Sequence, residues 1–314
     1  MRRVGRVLAA AGRFGRLLLV AGLLAGLGLP GLALAMRPWL PDLIALMIGV
    51  AALRIGPRQA LGAVRQLPQL IGVVLAYQVA LPIAVAVVFW LAGFEGIAIA
   101  TALILMAAAP SISGSPNLTI LVGGDPAPAL RLVIIGTALL PLTVVPVFLV
   151  AGGFGGVASV LAAATRLMGV ILLAASVAFL LRRMLFGTPS PEAIAAMDGV
   201  SAIVMAVVVV GLMSAVGPAL RTDPAAFAGW LVAAFAANLG LQIAAALALG
   251  RTGLAADRTA LSIIAGNRNI ALFLVALPAS ATDPILLFIG CYQIPMYLTP
   301  ILMNRFYSTL QARE

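Results

Sequence analysis

From residue 17 to residue 306 the chain is a succession of apolar runs separated by short polar joints. Each run is about 20 residues long, enough for one helix to cross a bilayer core of roughly 30 Å. Backbone polar groups in lipid must be satisfied within the segment, so runs of this kind become helices rather than open strands. Ten runs can be read, at 17–35, 39–56, 68–92, 96–122, 127–151, 157–181, 198–219, 226–249, 257–280 and 284–306. The composition agrees: 63% of the residues are hydrophobic and only 9% charged, where a soluble domain carries about 25% charged residues. The expected class is an all-α polytopic membrane protein embedded in a lipid bilayer.

Every basic residue is arginine, and the arginines are not evenly shared between the two sides. Arg2, Arg3, Arg6, Arg13 and Arg16 precede the first run, and Arg54, Arg58, Arg65, Arg131, Arg182, Arg183, Arg251, Arg258, Arg305 and Arg313 fall on the same side. The opposite side receives Arg37, Arg166 and Arg221. The positive-inside rule makes the richer side cytoplasmic. Residues 1–16 and 307–314 then read as cytoplasmic tails of an inner-membrane protein. The net charge of +10 is explained by this topology and not by nucleic-acid binding. A basic tail, an apolar run and the Ala-Leu-Ala at 33–35 also fit a cleavable signal peptide, but the repeat described next needs this run as its first helix. With no histidine and one cysteine, Cys291, the chain lacks the usual general base and the usual metal-ligand clusters, and no cofactor or metal is expected.

The chain reads as a duplication. Pro141 and Pro146 in "LPLTVVPVFL" match Pro295 and Pro300 in "IPMYLTPILM", and an Asp-Pro pair precedes each run, Asp125-Pro126 and Asp283-Pro284. Two repeats of five helices follow, 17–151 and 157–306. An odd number of spans inverts the second copy, the plan of many secondary transporters, whose sites lie where matching helices are broken at mid-membrane.

The fourth run of each half carries such a break. In "MAAAPSISGSPNLTI", Pro110, Gly114 and Pro116 interrupt the helix and surround Ser111, Ser113 and Ser115, with Asn117 opening a new half-helix. In "IIAGNRNIALFL", Gly266 precedes Asn267, Arg268 and Asn269. Half-helices that start at mid-membrane aim partly positive N-termini inward. Arg268 is the exceptional residue: a guanidinium at the bilayer centre costs about 2.5–3.5 kcal/mol, and no carboxylate is expected at its depth. Its partners are then freed backbone carbonyls, hydroxyl and amide side chains, or a bound anion.

These stretches resemble the bile acid:sodium symporter family. The likeness runs from about residue 40 to residue 306 and is carried by "SGSPNLTILVGGDPAPAL", "LPLTVVPVF", "AGNRNIALFLVALP" and "YQVALPIAV". It implies ten helices, a panel domain, and a core domain whose fourth and ninth helices cross at their breaks. In that family two sodium ions sit at the crossing on side-chain oxygens. Here Ile264 falls where the family has an acidic residue, Arg268 where it has a glutamine, and Pro116 where it has a serine. Ala129 and Val133 replace two hydroxyls, and Tyr77, beside Gln78, falls on a third-helix glutamine. Asn117 and Asn269 match. Hard cations need several oxygen ligands, so a site with a guanidinium and no carboxylate should hold sodium poorly.

The expected activity is secondary transport of a small organic anion by alternating access, with little or no dependence on sodium and Arg268 as a built-in cation. Asn117, Asn267, Arg268 and Asn269 are the leading substrate contacts, with Ser111, Ser113, Ser115 and Tyr77 behind them. A sodium-coupled symporter, an auxin-carrier-like or arsenite-exporter-like permease and an anion channel are the alternatives. An intramembrane protease would need a histidine or two buried aspartates, so an enzyme is not expected.

Overall fold

The computed structural model describes residues 2–64, 67–185 and 189–312, so Met1, Arg65 and Arg313 lie outside the described residues. The described residues are predominantly helical. In order the helices are α1 Arg2–Arg13, α2 Gly15–Gly28, α3 Pro30–Met36, α4 Leu40–Val64, α5 Leu67–Leu75, α6 Leu81–Leu91, α7 Ala98–Ala108, α8 Ser115–Leu121 and α9 Pro126–Ala151. They continue as α10 Val157–Leu185, α11 Pro191–Leu212, α12 Val216–Thr222, α13 Pro224–Leu249, α14 Arg258–Gly266, α15 Phe273–Ala276, α16 Ala279–Thr282, α17 Leu286–Leu302 and α18 Asn304–Gln311.

Among the described residues, 7 passages are long and apolar enough to cross a bilayer, or 8 if α1 and α2, bent by 80°, count as one. This is a multi-pass membrane protein. Several passages share one kind of start. Asp125, Ser190 and Asp223 each stand before a proline, and each side chain accepts a bond from the backbone N–H of Ala127, Ala193 or Ala226, at 2.9, 3.2 and 2.9 Å. The proline lacks an N–H where the helix could not have used one, and the cap satisfies one of the remaining orphan donors.

Two joints differ from the sequence reading. The first reversal falls at Leu29 (φ −120°, ψ 70°) and Pro30, not at 36–38. Pro30 opens a helix, and the chain stays helical through Arg37–Trp39 into α4, so residues 30–35 belong to the second passage. The passage expected at 198–219 already begins at Pro191, because Ser190 supplies the cap.

Two groups of helices result. α1 to α4 pack with α10 and α11. Glycines allow that close approach: a Cβ on Gly22 would lie 2.5 Å from the Ala206 carbonyl oxygen. In the other group α6 packs on α7 and α9, and α13 packs on α14 and α17. α4 is interrupted at Gly56 (φ 74°), whose open side is filled by the Arg182 guanidinium; that guanidinium donates to the carbonyls of Leu53 and Arg54 at 2.6 and 2.8 Å. An arginine thus caps a helix C-terminus here.

Candidate functional site

Two helical stretches are broken side by side. Between α7 and α8 the chain unwinds over residues 109–114, and after α14 it is extended over 267–269 before a 3-10 turn at Ile270–Leu272. The unwound strands pair antiparallel at Ser111 and Arg268. Ile112 N–H donates to Asn267 O at 3.2 Å, and Asn269 N–H donates to Pro110 O at 2.8 Å. This pairing supplies partners that the breaks would otherwise remove from buried backbone.

Arg268 lies at the centre of this crossing and is 1% exposed. Its Nε donates to Ala265 O at 2.9 Å and its Nη1 to Ala109 O at 3.0 Å. These are the C-terminal carbonyls of α14 and α7, the helices that precede the two breaks. A helix C-terminus carries roughly half a negative charge, so two such ends together offset about one positive charge. The Tyr77 ring adds its face, with the guanidinium carbon 5.0 Å from the ring centroid. Among the described residues the ion pairs are Arg37–Asp283 and Arg54–Asp198, and neither touches Arg268. The sequence reading stressed positive helix N-termini at this level; the guanidinium instead meets negative C-terminal ends, and the second halves are short, α8 with 7 residues and α15 with 4.

The remaining candidates divide. Ser111 and Ser115 are buried, with their hydroxyls 2.6 Å apart, and Ser111 Oγ also donates to Asn267 O at 3.1 Å. Asn267 is buried, and its amide donates to Ile263 O at 2.8 Å. Asn269 is half-buried and joins the crossing through its backbone. Ser113 and Asn117 are exposed, so the structure does not bring them into the buried cluster. Pro110 and Gly114 lie in the unwound link, Pro116 falls in the first turn of α8, and Gly266 ends α14. Gly266 is required by proximity: a Cβ there would lie 2.1 Å from Asn238 O.

Several site residues escaped the sequence reading. Asn238 and Gln242, one helical turn apart on α13, are wholly buried. Asn238 Nδ2 donates to Gly266 O at 2.5 Å and Gln242 Nε2 to Asn238 Oδ1 at 2.8 Å. Thr299 of α17 lies 3.2 Å from both Gln242 Nε2 and Asn267 Oδ1, and Tyr307 Oη donates to Gln242 Oε1 at 3.0 Å. Tyr292 Oη accepts from the Arg268 backbone N–H at 3.2 Å and donates to Gly266 O. On the other flank Thr143 Oγ1 donates to Gln78 Oε1 at 2.9 Å. The available signal was two amides at i and i+4 in an otherwise apolar run, which puts both on one helix face.

Tyr77 and Gln78 are set by a π-helical stretch, Ala76–Ala80, just before Pro82. One wide turn of that kind often marks a functional position. Tyr77 Oη and Arg268 Nη2 are both buried, and neither has a hydrogen-bond partner. No protein-family model matches the chain, and no curated protein matches it.

Proposed function

We propose that this chain is a secondary carrier of a small organic anion, of the bile acid:sodium symporter type, in which Arg268 occupies the place that sodium fills in the proteins it resembles. The observation that carries this is the buried guanidinium bonded to the carbonyl ends of two broken helices with no carboxylate beside it. The two positions where the family places hydroxyls and the one where it places an acid are Ala129, Val133 and Ile264, all buried and apolar. A cation site has lost its oxygens and gained a fixed cation.

Ten passages in two inverted repeats fit the same reading, with the broken passages 98–121 and 258–276 as fourth and ninth. Gly136, Pro141 and Pro146 recur at one constant spacing as Gly290, Pro295 and Pro300. A bond between a glutamine and a threonine recurs too, Gln78 to Thr143 at 2.9 Å and Gln242 to Thr299 at 3.2 Å. The two helix groups act as panel and core, one moving against the other to expose the crossing to each side in turn. The arginine distribution sets both termini in the cytoplasm of a cell with an inner membrane. The chain catalyses no covalent step in this account.

The test is uptake of organic anions into proteoliposomes with sodium, or with choline in its place. Flux that is the same in both supports the proposal. Flux that follows the sodium gradient assigns a sodium symporter instead, and unitary currents under voltage assign an anion channel.

A further inference from the structure

α1 is bent by 80° from α2. Membrane-crossing helices tilt by about 20° on average, so with α2 as the crossing part α1 runs within about 30° of the membrane plane. Its contacts set its depth. A Cβ on Gly12 would lie 3.1 Å from Gly199 N and 3.2 Å from Ala195 O, and one on Gly199 would overlap the Leu8 carbonyl oxygen. Asp198, next to Gly199 on α11, pairs with Arg54. Charged groups are rare in the hydrocarbon core, so α1 meets α11 at the polar edge of the bilayer.

The sequence of α1 divides it into three faces. A helix turns by about 100° per residue, so the seven-residue spacing puts Arg6 and Arg13 on one line and Val7 and Phe14 on a second, about 100° away. Phe14 continues the helix, its N–H donating to Ala10 O at 3.1 Å. Leu8 and Gly12 form the third face, against α11. Val7 and Phe14 are 67% and 58% exposed, as is Val4, one turn before Val7, at 64%. Arg6 and Arg13 are exposed too, and neither belongs to an ion pair among the described residues.

We infer that α1 lies in the membrane surface as a binding face for anionic phospholipid. Val4, Val7 and Phe14 enter the acyl-chain boundary, and Arg6 and Arg13 hold the phosphates and acidic headgroups above it. The two other placements conflict with these faces. A crossing α1 would put Arg13 into hydrocarbon, and an α1 standing in water would leave a contiguous apolar strip wet. The stretch that reads as a tail in the sequence is thereby an in-plane helix, fixed to α11 by glycines and selective for acidic lipid.

The test titrates the full-length protein in detergent with phosphatidylglycerol and with phosphatidylcholine, reading thermal unfolding. Phosphatidylglycerol should raise the unfolding temperature saturably, and phosphatidylcholine should not. The double variant Arg6→Gln/Arg13→Gln should unfold as the native protein does without lipid, since both side chains are exposed. It should need about tenfold or more phosphatidylglycerol for the same shift, roughly fivefold for each lost cation. High salt should weaken the native titration in the same direction. Arg251→Gln, exposed in the joint after α13, should titrate as the native protein does. A fluorophore on Val7→Cys in phosphatidylglycerol nanodiscs should be quenched from the acyl chains and shielded from a water-borne quencher; Cys291 is buried and does not compete for the label. The inference is overturned if both lipids stabilise alike, if the double variant titrates as the native protein does, or if Arg251→Gln weakens the titration as much. A label at Val7→Cys that is open to the water-borne quencher also overturns it, and leaves that face to a soluble partner.

Discussion

Arg268 Nη1 reaches 3.0 Å from the carbonyl oxygen of Ala109, a residue far away in sequence that ends the helix before the other break. Its Nε binds its own helix end at Ala265. One side chain therefore ties two helix C-termini together. A lysine has a single charged nitrogen on a flexible stem and cannot reproduce that planar fork.

Arg268→Gln should therefore do two things. On the carrier reading proposed above, flux should fall at least tenfold, because two buried carbonyls lose charged donors at about 1.5–3 kcal/mol each. In addition, the negative helix ends no longer have a counter-charge, so sodium should now raise the unfolding temperature of the variant relative to choline, while leaving the native protein unmoved. Thermal unfolding in the two salts reads this directly. A sodium shift of equal size in both proteins would remove the idea that the guanidinium replaces a cation.

Gly266 and Gly229 make a paired test of packing at the site. A Cβ on Gly266 would meet the Asn238 carbonyl oxygen at 2.1 Å and Gln242 Cγ at 2.5 Å, so Gly266→Ala must push α13 away from α14. The expected loss is about 1–3 kcal/mol or more, seen as a lower unfolding temperature and a smaller monodisperse fraction on size exclusion. Gly229, also on α13, has open space where its Cβ would go. Gly229→Ala should be neutral or stabilise by up to about 1 kcal/mol through helix propensity.

Much of this arrangement was legible beforehand, for a specific reason. Prolines and glycines inside apolar runs have few roles, so Pro110, Gly114 and Gly266 marked the breaks, and Arg268 had to lie somewhere shielded. The pairing of the breaks at Ser111 and Arg268 uses backbone atoms, which leave little trace in sequence. Asn238 and Gln242 were hidden because two amides on a long helix look like tolerated polarity until α14 is placed against them. The first reversal was misplaced because Arg37-Pro38 resembles a joint; Arg37 instead stays in a helical turn and pairs with Asp283. Asn117 matched the family's pattern yet is exposed, since the half-helix starting at Ser115 turns it away from the buried cluster.

Thr299 links α17 to the amide cluster, with its hydroxyl within 3.4 Å of Asn238 Oδ1, Asn267 Oδ1 and Gln242 Nε2. Thr299→Val keeps the shape and removes the hydroxyl. The amides then lose a shared partner in a fully buried site, at about 1–3 kcal/mol. Thr299→Ser, which keeps the oxygen, should recover most of that. Unfolding temperatures of the two variants in one detergent settle it, and equal losses would mean that the methyl group, not the hydroxyl, matters.

The surface ion pair gives the opposite expectation. Arg37 Nη2 lies 2.5 Å from Asp283 Oδ1, closer than any contact of the Arg268 guanidinium, yet the two side chains are 39% and 49% exposed. Water and salt screen such a pair, and immobilising two side chains offsets much of the attraction, leaving about 0–1 kcal/mol. Arg37→Ala should thus shift the unfolding temperature far less than Arg268→Gln, and the small shift should vanish between low and high salt. The effect of Arg268→Gln should persist at high salt, because no ion atmosphere reaches a group buried at the crossing. A salt-insensitive loss for Arg37→Ala would show that this contact at the start of the last passage is shielded from solvent in the membrane and carries part of the stability assigned here to the crossing.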